Sequence, residues 1–180
     1  MREIVVFSQE DLLTKYLFIA SNTTRIKRGR NRIWIALVVL FTMLAILYSF
    51  DADKFLMWLF IAFGIILLLF FPFLITRILK RQYESIVAEQ FNNVKNLPFE
   101  ITLEDESISY KSNIGDVQLK ISQIEQIDEI QNYFFLKFSS NDTITLPKRS
   151  FSYDLLNNYL MDVSTKNAIP FNRQLNWRWK

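Results

Sequence analysis

The chain has neither cysteine nor histidine, and among its 180 residues glycine occurs three times and proline four. Without cysteine there is no disulfide and no thiol nucleophile, and without histidine there is no imidazole-based triad. The usual zinc ligand sets are excluded with them. The three glycines, Gly29, Gly64 and Gly115, are too scattered to form a phosphate-cradling loop. Carboxylates remain, but Glu104-Asp105-Glu106 reads as a solvated hairpin tip, and Asp51 and Asp53 read the same way. The expectation is therefore a protein with no catalytic residues, no metal site and no cofactor.

Charge is the next scarcity. Two runs, 33–50 and 55–76, contain no charged side chain and are separated by Asp51-Ala52-Asp53-Lys54. As helices they would be roughly 27 Å and 33 Å long, against a hydrocarbon core of about 30 Å. Sixteen of the 22 residues in the second run are Leu, Ile or Phe, each favouring insertion. Gly64 and Pro72 are tolerable there because neighbouring helices satisfy freed backbone groups. The four-residue connection is too short for a domain, so the runs predict an antiparallel transmembrane hairpin, 33–76. A soluble hairpin is a poor fit for two long uncharged runs so close together.

Flanking cations set the direction. Arg25, Lys27, Arg28, Arg30 and Arg32 precede the first run, Arg77, Lys80 and Arg81 follow the second, and the hairpin loop holds only Lys54. Eight against one predicts both termini on the cytoplasmic side. The polar 1–32 stretch, with Glu3, Glu10 and Asp11, predicts an uncleaved anchor and no signal peptide. The net charge of +3 is unevenly spread: +4 over 1–32, +1 over 33–96 and −2 over 97–180. The basic excess lies beside the membrane and not on the soluble part, which argues against nucleic acid as a partner. The eight flanking cations serve either as a topology signal or as a patch attracting anionic headgroups.

The remaining segments read by periodicity. Glu3-Ile4-Val5-Val6-Phe7 is a short β-type run, and whether Ile4 to Phe7 joins a sheet is open. Ser8 with Asp11 three residues on is an N-cap pattern, and Leu12, Leu13, Tyr16, Leu17 and Ala20 recur at helical spacing. This amphipathic helix should run toward the basic cluster and loosen near Gly29, its apolar face on the membrane surface or on another helix. Tyr83, Val87, Phe91 and Val94 form a stripe along a helical stalk, 77–96, ending near Pro98. From Phe99 the period becomes two. Strands are expected around Phe99 to Leu103, Ile108 to Tyr110, Val117 to Ile121, Tyr133 to Phe138 and Thr143 to Leu146, with a hairpin turn at Asn113-Ile114-Gly115-Asp116. Ile124, Ile127 and Ile130, spaced by three, fit a short helix or an irregular strand, and their β-branching and context favour a strand with a bulge. A helix over 152–164 with Leu155, Leu156, Tyr159, Leu160 and Val163 on one side closes the 97–166 domain.

With a hairpin, a stalk, a β-rich region and a terminal helix, the chain resembles the YcxB-like family of bacterial membrane proteins. The most specific pieces are Leu146-Pro147-Lys148-Arg149-Ser150-Phe151 and the preceding Tyr133-Phe134-Phe135-Leu136. The resemblance implies a pleckstrin-homology-like (PH-like) C-terminal domain, a curved antiparallel sheet of about six to seven strands capped by a helix. The fold class expected is thus membrane α+β.

Lys148 and Arg149 are the candidate binding residues, placed to meet a phosphate or a partner's carboxylate, or else to cap the strand end. In the tail, 167–180, Trp177 and Trp179 alternate with cations and suit a membrane interface, packing onto the domain, or disorder. The expected function is non-enzymatic: a cytoplasmic PH-like domain held at the bilayer for a protein partner or self-association. The alternative is a sensor of anionic headgroups through Lys148, Arg149 and the juxtamembrane cluster.

Overall fold

The computed structural model describes residues 1–50, 54–95, 97–112 and 115–179. These fall into two compact units, Met1–Lys15 with Ile86–Arg178, and Tyr16–Ser85 with Trp179. The first unit is therefore assembled from both ends of the chain.

That unit holds two four-stranded sheets. The first has the order β1-β2-β3-β4, with β1 Arg2–Val6, β2 Pro98–Leu103, β3 Ser107–Ser112 and β4 Gly115–Lys120, all antiparallel. The N-terminal run therefore does join the sheet: Val5 lies opposite Phe99 and is fully buried. The second has the order β7-β6-β5-β8, with β5 Ile124–Glu129, β6 Tyr133–Phe138, β7 Thr143–Pro147 and β8 Phe171–Arg173. The expected bulge is present, as a register shift between Ile124 and Gln126. The single antiparallel sheet expected from the strand count is corrected to two sheets. The cause is a 3-10 turn at Ile121–Gln123, which redirects the chain between β4 and β5 so that these strands do not pair. The tail adds β8, parallel to β5, with Phe171 opposite Ile127.

The core is shared by both sheets and by α4, Tyr153–Asn167. Phe134, Leu136, Leu146, Ile101 and Ile108 are buried, and α4 contributes Leu156, Leu160 and Val163 at helical spacing. Leu155, expected on that face, is exposed instead. Tyr110 on β3 donates to the Thr145 carbonyl on β7 at 3.0 Å, tying the two sheets together. The hairpin-turn residues Asn113 and Ile114 lie outside the described residues.

Three helices lie wholly or partly in the second unit. α1 spans Gln9–Asn22, α2 Thr24–Tyr48 and α3 Phe55–Val94. The break before the basic cluster falls at Thr23 and not near Gly29. Thr23 is extended, its hydroxyl donates to the Ile19 carbonyl at 2.7 Å, and Ser21 donates to Phe18 at 2.8 Å, so side chains satisfy the last carbonyls of α1. A glycine within a helix costs only about 1 kcal/mol relative to alanine, and α2 runs through Gly29 unbroken. The apolar run 55–76 and the segment after it form one continuous helix, with Pro72 inside it.

Tyr16 of α1 stacks on Tyr83 of α3 at 6.2 Å, so packing on a helix is the fate of this part of α1. α2 and α3 are antiparallel: Phe41 meets Phe63 at 5.7 Å and Tyr48 stacks on Phe60 at 5.3 Å. Both are long and apolar enough to cross a membrane. Met43, Leu47, Phe63 and Leu69 are each more than half exposed. The connecting Asp51, Ala52 and Asp53 lie outside the described residues.

Candidate functional site

Pro147 ends β7 because it has no N–H to continue the ladder. The next three residues, Lys148–Ser150, form a 3-10 turn, and its two cations reach different carboxylates. Arg149 goes to Asp11. Its Nη1 donates to Oδ1 at 2.6 Å, its Nη2 donates to Oδ2, and Nη2 also reaches the Val6 carbonyl. Tyr133 donates its hydroxyl to the same Oδ1 at 2.7 Å.

Asp11 is held from its own side as well. The Ser8 amide donates to Oδ2 at 2.6 Å while the Asp11 amide donates to Ser8 Oγ at 3.2 Å, a reciprocal capping arrangement at the start of α1. The carboxylate is out of solvent. Burial alone would raise its pKa, but the hydrogen bonds from Arg149, the Ser8 amide and Tyr133 outweigh it and hold Asp11 below the usual value. The Tyr133 phenol is pushed up to about 12 by burial and by its bond to Asp11. Arg149 is raised chiefly by its bonds to Asp11.

Lys148 turns to Glu129, a residue of β5 that is 1% exposed. Its Nζ lies 2.7 Å from Oε1, with the Tyr153 hydroxyl donating to that oxygen at 3.1 Å. Arg173 on β8 places Nε 3.1 Å from Oε2. The Lys148 ammonium also sits 4.8 Å above the Phe134 ring and 5.1 Å from that of Tyr153. Burial and the bond to Glu129 raise the Tyr153 phenol. Two cations therefore serve one buried carboxylate, and β8 is fixed partly through that charge.

A cavity of about 630 Å³ lies nearby in the same unit, its lining including Phe7, Lys15, Tyr110, Val117, Leu119 and Thr145. The Thr145 hydroxyl is buried with no hydrogen-bond partner among the described residues. Burial lowers the pKa of Lys15, and the charge of Asp142 partly restores it. Neither Lys15 nor Thr145 carries a sequence signal, because strand alternation and helix periodicity do not report which side chains end up around a void.

Residues 103–170 match the family model for YcxB-like protein. The chain carries a YcxB-like domain. No curated protein and no solved structure matches it. The matched segment takes in the basic pair, Tyr133, Glu129 and all of α4, whereas Asp11 and Arg173 come from outside it. The YcxB-like domain thus draws charge partners from both flanks.

The other candidate residues lie elsewhere. Arg28 and Arg32 are exposed on α2, as are Arg77, Lys80 and Arg81 on α3. Arg30 lines a groove of about 520 Å³ with Trp34, Phe71 and Thr76. Lys80 lies 3.8 Å from Glu84 one turn on. The side chains of Arg25 and Lys27 lie outside the described residues. Trp179 donates its indole N–H to the Thr76 carbonyl at 3.1 Å and sets its ring edge-on to Tyr83. The Trp177 amide donates to the Gln174 carbonyl in a turn. In the β2–β3 turn, Glu104 accepts a bond from Ser107 at 2.9 Å.

Proposed function

We propose that the protein is a non-enzymatic integral membrane protein of the bacterial inner membrane. α2 and α3 span the bilayer as a hairpin, both termini are cytoplasmic, and the YcxB-like domain is PH-like and acts in protein-partner binding or self-association. The exposed apolar side chains of α2 and α3 support insertion, and two sheets closed by one C-terminal helix support the PH-like reading. The observation that carries the partner reading is the commitment of Lys148 and Arg149. Glu129 and Asp11 already neutralise them, so the basic pair presents little free charge to a headgroup.

The headgroup-sensing alternative retains one support, the exposed Arg28, Arg32, Arg77, Lys80 and Arg81 flanking the apolar stretches. Binding through such charges falls steeply with ionic strength. A photo-crosslinking residue at Ser150 in living cells separates the two readings. Discrete protein adducts are expected. Lipid adducts alone, lost when Lys148 and Arg149 become Ala, would overturn the partner reading.

A further inference from the structure

β4 forms one end of the first sheet, and β3 is its strand partner among the described residues. A free strand edge offers a row of N–H and C=O groups to another chain, and proteins usually protect such edges. Two of the other terminal strands are blunted, β8 having three residues and β7 ending in Pro147. β1 exposes Ile4 and Val6, but read antiparallel about Ile4 it sets Arg2 against Val6 and Glu3 against Val5 and so pairs no charges with its own copy. β4 has six residues, no proline, and Val117 53% exposed.

Its sequence, Gly115-Asp116-Val117-Gln118-Leu119-Lys120, is self-complementary when read antiparallel. With Gln118 opposite its own copy, Val117 faces Leu119 and Asp116 faces Lys120, each twice. Neither Asp116 nor Lys120 makes an ion pair within the chain among the described residues. Sliding the register by two in either direction puts Asp116 or Lys120 opposite Gln118 and forfeits both pairs. A further slide sets like charges against each other. Only one register satisfies both the charges and the apolar pair.

We propose that two copies of the protein associate through β4, joined antiparallel about a two-fold axis at Gln118 into one continuous eight-stranded sheet. This rests on the self-association arm of the function proposed above and names its surface. A six-residue strand makes a small interface, and confinement of both copies to one bilayer raises their effective concentration.

The chain has no cysteine, so Gln118→Cys introduces a sole thiol. Opposed residues of an antiparallel ladder lie about 4.5–5.5 Å apart at Cα, within the range of about 4.4–6.8 Å that a disulfide spans. Mild oxidation of membranes holding the full chain should link Gln118→Cys into a dimer, and Lys120→Cys should link far less. Adding Asp116→Lys or Lys120→Asp should cut the Gln118→Cys yield about tenfold by replacing attraction with repulsion. Combining the two swaps should restore it. Both positions are exposed, and unchanged melting temperatures would exclude misfolding. A chain that is dimeric to an amine crosslinker yet gives no Gln118→Cys disulfide would overturn the β4 assignment and leave self-association standing. A chain monomeric by both measures would overturn self-association too, leaving a different protein as the partner.

Discussion

Arg149 and Asp11, 138 positions apart, meet in a two-pronged ion pair, with Nη1 2.6 Å from Oδ1 and Nη2 bonded to Oδ2. It joins the first turn of α1 to the turn after β7, and so fastens the N-terminal segment to a domain built mostly from the other end of the chain. Asp11 is fully buried while the Arg149 side chain is 51% exposed, so the two partners are not equivalent.

Removing the cation should be the more informative change. Arg149→Met leaves a buried carboxylate with only Tyr133 and the Ser8 amide, and should destabilise the protein by about 3 kcal/mol. Arg149→Lys keeps the charge but not the fork, and should recover part of the loss. Thermal unfolding of the purified full chain measures both; an Arg149→Met protein as stable as the parent would show that the pair contributes nothing.

The same cluster sets a pH dependence. Asp11 is held below its ordinary pKa in the folded state, so its stabilisation is present above the unfolded value of about 3.9 and is lost as pH falls through the folded one. Tyr133 runs the other way. Its phenol is raised to about 12, so its contribution is present below about 10 and is lost as pH rises from there through the folded value. The stability gap between the parent and Asp11→Asn should be constant near neutrality and close below about pH 4. A gap unchanged at pH 3 would count against a depressed Asp11.

Within the helical hairpin, Gly64 of α3 lies against Phe41 of α2. A Cβ added there would lie 3.1 Å from Phe41 Cβ, closer than side chains normally pack. Gly64→Val should destabilise the hairpin by about 1–3 kcal/mol through overpacking. Phe41→Ala in the same chain should recover most of that loss, and melting of the single and double variants tests the coupling.

Topology can be read from one position. Ser140 is exposed in the turn between β6 and β7, and the proposed orientation puts that turn in the cytoplasm. Ser140→Cys should react with an impermeant thiol reagent only after lysis, on a background free of native cysteine. Labelling of intact cells would reverse the orientation.

Much of this architecture was legible because it rests on short-range patterns. The apolar runs show α2 and α3, alternation shows most of the strands, and Ser8 with Asp11 shows the start of α1. Three features were hidden for a common reason. The 3-10 turn at Ile121–Gln123 decides whether there is one sheet or two, yet its residues look like those of the strands around it. β8 is three residues long, too short for a period to register. At Lys148-Arg149, composition announced a basic pair but gave no hint that each cation has its own buried acid.

The amino-acid sequence by itself determined the two long apolar helices, the flanking charge, the absence of thiol and imidazole chemistry, and the order of most strands. Each follows from hydropathy, periodicity or residue type within a few neighbours. The tertiary structure alone decided that Val5 pairs in a sheet with Phe99, that Arg173 returns to Glu129, and that Arg149 neutralises Asp11. These contacts depend on where the chain comes back to itself. A charged side chain carries no record of which distant opposite charge will share its dry environment.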